Sequence, residues 1–378
     1  MKILILRTAS NKLNANTYNL QEIGLAKALV NKGHICDVVY SNGRNDDFIE
    51  IIELDNGKTI NVIWLKCFNV FGEGIFPGLK KYINQYDVIQ IGGYVGLNSV
   101  WLNRKLPGKV VNYQGPYYCV DNKKDNLKAK VYDRLLLPFS KKDKMRVATK
   151  SILATEYIKS KGIKDVTTIG VGLDVDKLQD VEFGDKRFVD DLIKSKGDNT
   201  YLLYVGKLEE RRNIIFMLEM FSKIVQKSES VKLIIVGNGK TEYVDMCKAK
   251  IKELHLIDNI IYEEKVEQSV IKSIYEIADL FILPTRYEIF GMVLLEAMYF
   301  GVPVVTTYNG GSCTIINESN GIIIRDLDTD KWCDTILSLL NDKEKIRKMG
   351  NNAHQLISTE FTWEALSNKF LEVYLRHR

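Results

Sequence analysis

Proline and histidine are the scarce residues of this 378-residue sequence, which has 6 prolines and 4 histidines. So little proline excludes a proline-rich stalk or linker. No histidine stands at metal-ligand spacing from a cysteine, which argues against a zinc site. No apolar run approaches the ~18 residues of a transmembrane helix. The apolar run near the N-terminus, residues 3–6, is too short for the core of a signal peptide.

The six cysteines form no CxxC pair and are widely spaced along the chain. Disulfide frameworks belong to short secreted chains, so we interpret these thiols as reduced and mostly buried. With no targeting segment in view, this predicts a cytoplasmic protein. The cysteines are Cys36, Cys67, Cys119, Cys247, Cys313 and Cys333.

The composition is that of a globular protein, with 46% hydrophobic and 27% charged residues. The length predicts two domains. The net charge of +5 is mild but uneven, because residues 123–150 contain ten Lys or Arg and only three Asp. The remainder of the chain is therefore slightly acidic.

Short runs rich in Val and Ile alternate with amphipathic stretches in the first half of the sequence. One such stretch, Asn16–Lys32, has apolar residues at helical spacing and stops at Gly33, a residue that favours the left-handed helix end. This β-α-β alternation predicts a parallel sheet covered by helices. The predicted strands are 2–7, 35–40, 60–65, 87–91, 109–113 and 151–155.

The alternation starts again after a polar, charged segment at 177–200, which we take as the boundary between domains. The strands of this second series are almost continuously apolar, as expected when both faces of a sheet are covered. The sequence therefore predicts two doubly wound α/β domains. The second series has strands at 201–206, 231–237, 258–264, 279–284 and 301–307 and helices at 214–227, 242–254, 270–277 and 292–300.

The most informative stretch is 284–311, where a strand leads through a polar loop into a helix. Glu288 lies in the loop and Glu296 lies in the helix among apolar residues, so Glu296 needs a polar partner. The backbone N–H groups of Phe290, Gly291 and Met292 would point out of the helix N-terminus toward an anion or a polyhydroxyl ligand. The alternative is an ordinary surface helix with an exposed glutamate.

This stretch resembles the donor-binding signature of retaining GT-B glycosyltransferases of the GT4 family. That signature has a Glu, seven residues, a second Glu, Gly-x-Pro-Val and a Gly-Gly loop. The family's small residue after the first Glu is replaced by Ile289, which could reshape the sugar pocket. The matching residues are Glu288, Glu296, Gly301, Pro303, Val304, Gly310 and Gly311.

The stretch 204–221 is similar to the family's strand, loop and helix that carry two basic residues. Lys207 stands for the usual Arg and Arg212 for the usual Lys. Two fixed cations would stabilise the diphosphate leaving group of a nucleotide-sugar without a metal ion. Taken alone, these cations could equally belong to a solvated loop.

Two further resemblances concern the nucleotide. Gly237 and Asn238 follow an apolar strand, where the family's loop lines the nucleotide pocket. Because no third glycine follows Gly239, this is not the dinucleotide-binding fingerprint. In the family, the backbone near Lys265 and Val266 faces the base.

The N-terminal half resembles the family less closely. Asn16 and Thr17 replace the usual Gly-Gly loop, whose backbone approaches the donor phosphates. Gln114 stands at or near the usual His that is aimed at the transferred sugar, and glutamine can donate a hydrogen bond but cannot titrate. We interpret His34 as structural. The segment 361–374 resembles the family's C-terminal helix, which packs back on the first domain.

Three Asp-x-Asp patterns, at 174–176, 326–328 and 328–330, have the form that metal-dependent transferases use. So short a pattern arises by chance in a chain with 48 acidic residues. The family resembled here needs no metal, so we expect no metal site.

The basic stretch 125–150 interleaves cations with large apolar residues. A solvated face beside an acceptor groove and an anionic membrane surface both fit this pattern. Nucleic-acid binding is disfavoured because no recognition motif is present.

The resemblance implies a GT-B fold, in which two Rossmann-like domains face each other across a cleft. Residues 1–175 with 361–378 would form the acceptor-side domain, and residues 176–360 would bind the donor. The implied enzyme is a metal-independent, hexosyltransferase-type glycosyltransferase (EC 2.4) that needs no cofactor and uses a nucleotide-diphosphate sugar as co-substrate. Its acceptor would be a hydroxyl group, with a lipid-linked saccharide of a bacterial surface polysaccharide or glycolipid as the candidate.

In this interpretation Lys207 and Arg212 hold the diphosphate and Glu296 holds the ribose. Glu288 and the amides of 290–292 hold the sugar. The location would be cytoplasmic, with a peripheral position on the inner face of the cell membrane as one option.

Three alternatives stay open at this point. A nucleotide-sugar epimerase of the same fold would release or isomerise the donor without an acceptor. A two-domain oxidoreductase would need a dinucleotide-binding fingerprint, which is not found. A non-catalytic nucleotide-sugar-binding protein would keep the fold and lose the reaction.

Overall fold

The computed structural model describes residues 1–13, 20–70, 72–119, 122–178, 187–267 and 270–376. The chain divides into two compact units: unit 1 is Met1–Asp174 with Phe361–Arg378, and unit 2 is Val175–Glu360. The division falls one residue before the boundary expected from the sequence. In the polar segment 177–200, residues 187–196 form a helix of unit 2.

Unit 1 is built from alternating strands and helices. Its strands are β1 Lys2–Leu6, β2 Ile35–Ser41, β3 Phe48–Glu53, β4 Thr59–Leu65, β5 Phe68–Val70, β6 Glu73–Ile75, β7 Val88–Gly92, β8 Val110–Gln114, β9 Arg146–Thr149 and β10 Asp165–Thr168. Its helices are α1 Gln21–Asn31, α2 Leu97–Lys105, α3 Lys123–Leu135, α4 Ile152–Lys159 and, from the end of the chain, α13 Trp363–Leu375.

The main sheet of unit 1 has the strand order β10-β9-β8-β7-β1-β2-β4-β3. The pairs are parallel except for β3 with β4, which run antiparallel. Strand order reverses between β7 and β1, so this unit is doubly wound and has a switch point at the carboxyl ends of those strands. Helix α1 ends as predicted before Gly33, which has φ +87°.

The predicted strand at 151–155 is wrong. The strand lies earlier, at β9, and residues 152–159 form α4. Ser151 caps this helix because its side-chain oxygen accepts a hydrogen bond from the Ala154 N–H at 3.2 Å. Ala154 and Ile158 are both buried, at the four-residue spacing of a helix face.

The C-terminal helix α13 packs within unit 1 through Trp363. A Cβ atom on Gly24 would lie 2.3 Å from the indole, and one on Gly172 would lie 2.4 Å from it. Glycine is therefore required on both sides of this ring. Further along the helix, the Tyr374 hydroxyl donates to Gln90 Oε1 at 2.6 Å.

Unit 2 repeats the architecture of unit 1. Its strands are β11 Thr200–Val205, β12 Val231–Val236, β13 Ile260–Glu263, β14 Leu280–Leu283, β15 Val304–Thr306 and β16 Gly321–Ile323. Its helices are α5 Arg187–Lys196, α6 Ile214–Lys227, α7 Thr241–Glu253, α8 Ile271–Ile277, α9 Met292–Tyr299, α10 Ser312–Ile315, α11 Thr329–Leu340 and α12 Lys343–Glu360.

The sheet of unit 2 is parallel, with the order β13-β12-β11-β14-β15-β16. Strand order reverses between β11 and β14, which pair directly. The loops that leave these two strands therefore meet at the carboxyl edge of the sheet, where ligands of doubly wound sheets bind. No helix among the described residues is long and apolar enough to cross a membrane.

Candidate functional site

The loop after β11 and the loop after β14 are fastened together by backbone and side-chain hydrogen bonds. Asn213 Nδ2 donates to the Pro284 carbonyl at 2.6 Å, and the Arg286 N–H donates to the Arg211 carbonyl at 2.8 Å. Asn213 adopts φ +54°, a left-handed conformation that asparagine tolerates. This turn leads directly into α6 and fixes the two arginines that precede it.

Glu288 is the centre of a compact charge cluster. Its Oε2 lies 2.6 Å from Arg212 Nη1 and 3.7 Å from Arg211 Nη1. The side chains of Arg212 and Glu288 are only 12% and 14% exposed. Glu209 Oε1 closes the cluster at 2.6 Å from Arg211 Nη2. The sheet order thus brings the predicted diphosphate-binding cation Arg212 against the predicted sugar-binding carboxylate Glu288.

Lys207 differs from these arginines because it is exposed and, among the described residues, has no carboxylate within ion-pair distance. Its carbonyl accepts a hydrogen bond from the buried Tyr204 hydroxyl at 2.7 Å, and burial raises the pKa of Tyr204. The Lys207 side chain lines a pocket of about 800 Å³ together with Arg211 and Asn238. This pocket leaves Lys207 available to an anionic ligand.

The glycines around Asn238 allow two loops to touch backbone to backbone. A Cβ atom on Gly237 would lie 1.8 Å from the Gly206 carbonyl, and one on Gly239 would lie 1.9 Å from the Leu208 carbonyl. Asn238 itself is exposed, and its Oδ1 accepts from the Gly239 N–H at 2.7 Å. The Gly-x-Gly pattern is therefore explained by close packing, and Asn238 stands at the open side of the pocket.

The start of α9 is shaped by a second pair of glycines. Gly291, with φ +82°, precedes the first helical residue, Met292. A Cβ atom on Gly311 would lie 1.5 Å from the carbonyl of the buried Phe290. The Gly310 N–H donates to the Glu288 carbonyl at 3.0 Å. The Gly-Gly loop after β15 thus holds the loop that carries Glu288 and the N-terminal turn of α9.

Glu296 is 5% exposed, and its Oε2 accepts a hydrogen bond from the Tyr275 hydroxyl at 2.8 Å. Tyr275 comes from α8 and is itself fully buried. Glu296 therefore has the polar partner that a carboxylate buried among apolar residues requires. Whether Glu296 also holds ribose stays a prediction.

The remaining predicted residues are Val266, Asn16, Thr17 and Gln114. Val266 follows β13 and is half-buried. Asn16 and Thr17 lie outside the described residues. Gln114 is in unit 1 and is buried, with Nε2 donating to the Pro116 carbonyl at 2.6 Å and Oε1 accepting from the Tyr94 N–H at 3.1 Å. In this arrangement its carboxamide holds the backbone of unit 1, and its role toward a sugar stays a prediction.

Two residues of the site escaped the sequence reasoning. Arg211 reaches the same carboxylate as Arg212, and its only signal was its position beside Arg212. Tyr275 is the partner of Glu296 from 21 residues away, with no local signal. Among the described residues, no group of three or more His, Cys, Asp or Glu could hold a metal ion.

The sequence of unit 2 matches a known family. Residues 185–356 match the family described as glycosyl transferases group 1. Over 183 residues the chain is 31% identical to an uncharacterized glycosyltransferase of Methanocaldococcus jannaschii, which covers 47% of this chain and 45% of that protein. Over 257 residues it is 26% identical to the capsular polysaccharide biosynthesis glycosyltransferase CapM of Staphylococcus aureus, covering 64% of this chain and 66% of that protein.

Solved structures match the chain along nearly its whole length. Sucrose-phosphate synthase from Thermosynechococcus elongatus superposes with a TM-score of 0.73 at 19% identity, covering 99% of this chain and 98% of that one. HepE of Anabaena, solved in complex with UDP and glucose, superposes with a TM-score of 0.67 at 16% identity, with 98% of each chain covered. The chain has the GT-B fold.

The GT-B fold confirms the architecture predicted from the sequence. The family match includes both β11 and β14, and therefore all residues of the charge cluster. The chain spans about half the length of most of the curated relatives it matches.

Proposed function

We propose that this protein is a retaining glycosyltransferase of the GT4 type that transfers a sugar from a nucleotide-diphosphate sugar to a hydroxyl acceptor. The observation that carries the proposal is the meeting of two loops at the carboxyl edge of unit 2. There Arg212 lies 2.6 Å from Glu288, and Lys207 lines the adjoining pocket. This combination of cations and a carboxylate suits a ligand with a diphosphate and a sugar.

The donor diphosphate would bind Lys207 and Arg212. Negative charge grows on this group as the glycosidic bond breaks, and fixed cations stabilise it in the transition state. The N–H groups at the start of α9, from Phe290 to Met292, would add donors at the positive end of the helix. We expect no metal ion or other cofactor to be needed.

The nucleoside and the sugar would lie on either side of that diphosphate. Glu296 would accept hydrogen bonds from the ribose hydroxyls, with Tyr275 holding its second carboxylate oxygen. Gly237, Asn238 and the backbone at Val266 would line the nucleoside. Glu288 would orient the sugar hydroxyls, and the leaving diphosphate would accept the acceptor proton on the same face of the sugar. Transfer then proceeds with retention at the anomeric carbon.

Unit 1 would supply the acceptor side, with Asn16, Thr17 and Gln114 as the candidate contacts. The relative CapM is named for capsular polysaccharide biosynthesis, and HepE was solved with UDP. These names support a UDP-sugar donor and a bacterial surface polysaccharide or glycolipid as the product. The acceptor would be a lipid-linked saccharide.

Helix α3 supports a peripheral position on the membrane. Leu127, Val131 and Leu135 are 62%, 49% and 58% exposed and are spaced four residues apart, so they lie along one side of the helix. Its inward residue Asp133 is paired with Lys161 at 2.6 Å. An apolar row with cations around it suits an anionic lipid surface. The exposed cations on this helix are Lys123, Lys124, Lys128, Lys130 and Arg134.

Product analysis tests the proposed reaction. Wild-type protein incubated with a UDP-sugar and a lipid-linked saccharide should give a glycoside whose anomeric configuration, read by NMR, equals that of the donor. Glu296→Gln should abolish the transfer while the protein stays folded. A free or isomerised sugar without acceptor product, or full activity of Glu296→Gln, would contradict the proposal.

Cosedimentation with vesicles tests the membrane position. Wild-type protein should bind vesicles that contain phosphatidylglycerol and not vesicles of phosphatidylcholine alone. Leu127→Ser with Leu135→Ser should abolish binding, whereas Ile193→Ser with Ile257→Ser, at equally exposed apolar positions of unit 2, should not. Equal binding of both double variants, or tighter binding of the wild type to nucleic acid than to vesicles, would contradict the membrane position.

A further inference from the structure

Two glutamates and two arginines alternate in a closed ring at the edge of the unit 2 sheet. Arg211 lies 2.6 Å from Glu209 and 3.7 Å from Glu288. Arg212 lies 2.6 Å from Glu288 and 3.9 Å from Glu209. The formal charges of the ring sum to zero, so the charge of Arg212 is balanced before any ligand binds.

A diphosphate at this site would compete with Glu288 for Arg212. The Glu288 side chain is only 14% exposed, and a carboxylate in such surroundings is strongly destabilised when its cation leaves. Arg212 can therefore turn to a phosphate at low cost only if another cation remains beside Glu288. Arg211 is a second cation within ion-pair distance of Glu288, at 3.7 Å, and can therefore stay beside this carboxylate when Arg212 turns away.

Arg211 is anchored by groups other than Glu288. Its Nη1 donates to the Tyr287 carbonyl at 2.7 Å, and its Nη2 contacts Glu209. Its backbone carbonyl accepts from the Arg286 N–H at 2.8 Å. These contacts hold the guanidinium in place whether or not Arg212 stays, and they bridge the two loops that form the site.

We propose that Arg211 is a positioning residue that keeps Glu288 paired while Arg212 exchanges this carboxylate for the donor diphosphate. Glu209 balances the charge of Arg211 and keeps it from binding the phosphate itself. The inference rests on the proposed function, because the exchange needs a diphosphate ligand. It assigns to Arg211, which also lines the pocket beside Lys207, a part in nucleotide affinity that acts through Glu288.

Calorimetric titration of a double-mutant cycle tests this role. UDP, GDP and ADP are titrated into the wild type, and the one that binds most tightly is the probe. Arg211→Gln should weaken its binding about tenfold, since Glu288 then loses its second cation. Arg211→Lys should recover most of the affinity because the charge is kept. In the Glu288→Gln background, Arg211→Gln should change the affinity by less than about twofold, because a neutral side chain needs no cation.

A matched control comes from Lys223, whose ion pair with Asp330 at 2.7 Å lies on the surface of unit 2. Lys223→Gln should leave the affinity unchanged, and thermal midpoints of the free variants report any loss of fold. An equal loss from Arg211→Gln in both backgrounds would show direct phosphate binding and overturn the proposal. So would no loss in either background. If none of the three nucleotides binds the wild type, the proposed function fails, and the role of Arg211 fails with it.

Discussion

The guanidinium of Arg212 lies 2.6 Å from the carboxylate of Glu288, although the two residues come from loops after different strands. They meet because β11 and β14 are neighbours in the unit 2 sheet. Arg212, the residue predicted to bind the diphosphate, and Glu288, the residue predicted to bind the sugar, thus form one ion pair. Substitution of either residue should therefore change the electrostatic environment of the other.

The pairing of Arg212 predicts how its removal acts. Arg212→Ala should lower the free energy of unfolding by about 2 kcal/mol, because a mostly buried ion pair loses one partner. The same variant should weaken nucleoside diphosphate binding. Denaturant unfolding measures the stability, and Arg212→Ala with Glu288→Gln should recover most of it. Equal instability of the single and double variants would contradict the pairing.

Lys207 should behave differently, because it is exposed and unpaired among the described residues. Lys207→Ala should change the unfolding free energy by no more than about 0.5 kcal/mol. It should weaken binding of the nucleoside diphosphate about tenfold, the worth of a charge-assisted hydrogen bond. Calorimetry gives the dissociation constants. Lys240→Ala, which removes another exposed cation of the same pocket, is the control. An equal loss in the control would mean that Lys207 makes no specific contact.

The Gly-Gly loop should tolerate no side chain at Gly311. A Cβ atom there would lie 1.5 Å from the Phe290 carbonyl, so Gly311→Ala must displace the start of α9. We expect a loss of about 2 kcal/mol in unfolding free energy together with loss of nucleotide binding. Gly92→Ala is the matched control, because its new Cβ atom would meet its nearest neighbour at an ordinary 3.7 Å. A Gly311→Ala protein with normal stability and binding would show that this packing is unimportant.

The buried tyrosines of unit 1 predict a loss of stability at alkaline pH. Burial raises the pKa of each above the usual value of 10, so above pH 10 the folded chain holds protons that the unfolded chain releases. Stability therefore falls as the pH rises above 10. The tyrosines concerned are Tyr40, Tyr86, Tyr94, Tyr113, Tyr132 and Tyr374.

Denaturant unfolding measured above and below pH 10 tests the predicted fall in the free energy of unfolding. Lys150 opposes it, because burial lowers the pKa of this lysine from 10.5 and its contribution rises with pH up to that value. The contribution of this one lysine to the pH dependence of stability is smaller than the summed contribution of the several tyrosines. Tyr94→Phe should make the loss smaller, and a stability that does not fall above pH 10 would contradict the prediction.

The sequence predicts the central strands of both sheets well and the remaining elements less well. Strands such as β11 and β12 are buried apolar runs, and burial on both faces leaves a clear signal. The edge strand β3 alternates between exposed and half-buried residues and was not predicted. The run at 151–155 is apolar enough for a strand, but Ser151 and the spacing of its buried residues make it a helix.

Prediction of the candidate site was limited in the same way, because local patterns can be read from the sequence and long-range contacts cannot. The spacing of Glu288 and Glu296 and the Gly-Gly loop could be read along the chain. The contact of Arg211 with the loop at Tyr287 joins residues 76 positions apart and depends on the order of strands in the sheet. The hydrogen bond from Tyr275 to Glu296 likewise depends on how α8 packs against α9. Pairings of this kind follow from the tertiary arrangement and leave no local pattern.

A thermal-shift screen with UDP-, GDP- and ADP-sugars tests most directly whether unit 2 holds a nucleotide-sugar. The wild type should be stabilised by at least one of these donors, since a ligand that binds only the folded state raises the midpoint of unfolding. The shift should shrink in Lys207→Ala and vanish in Arg212→Ala. No shift with any donor, or an undiminished shift in both variants, would contradict the assignment of the site.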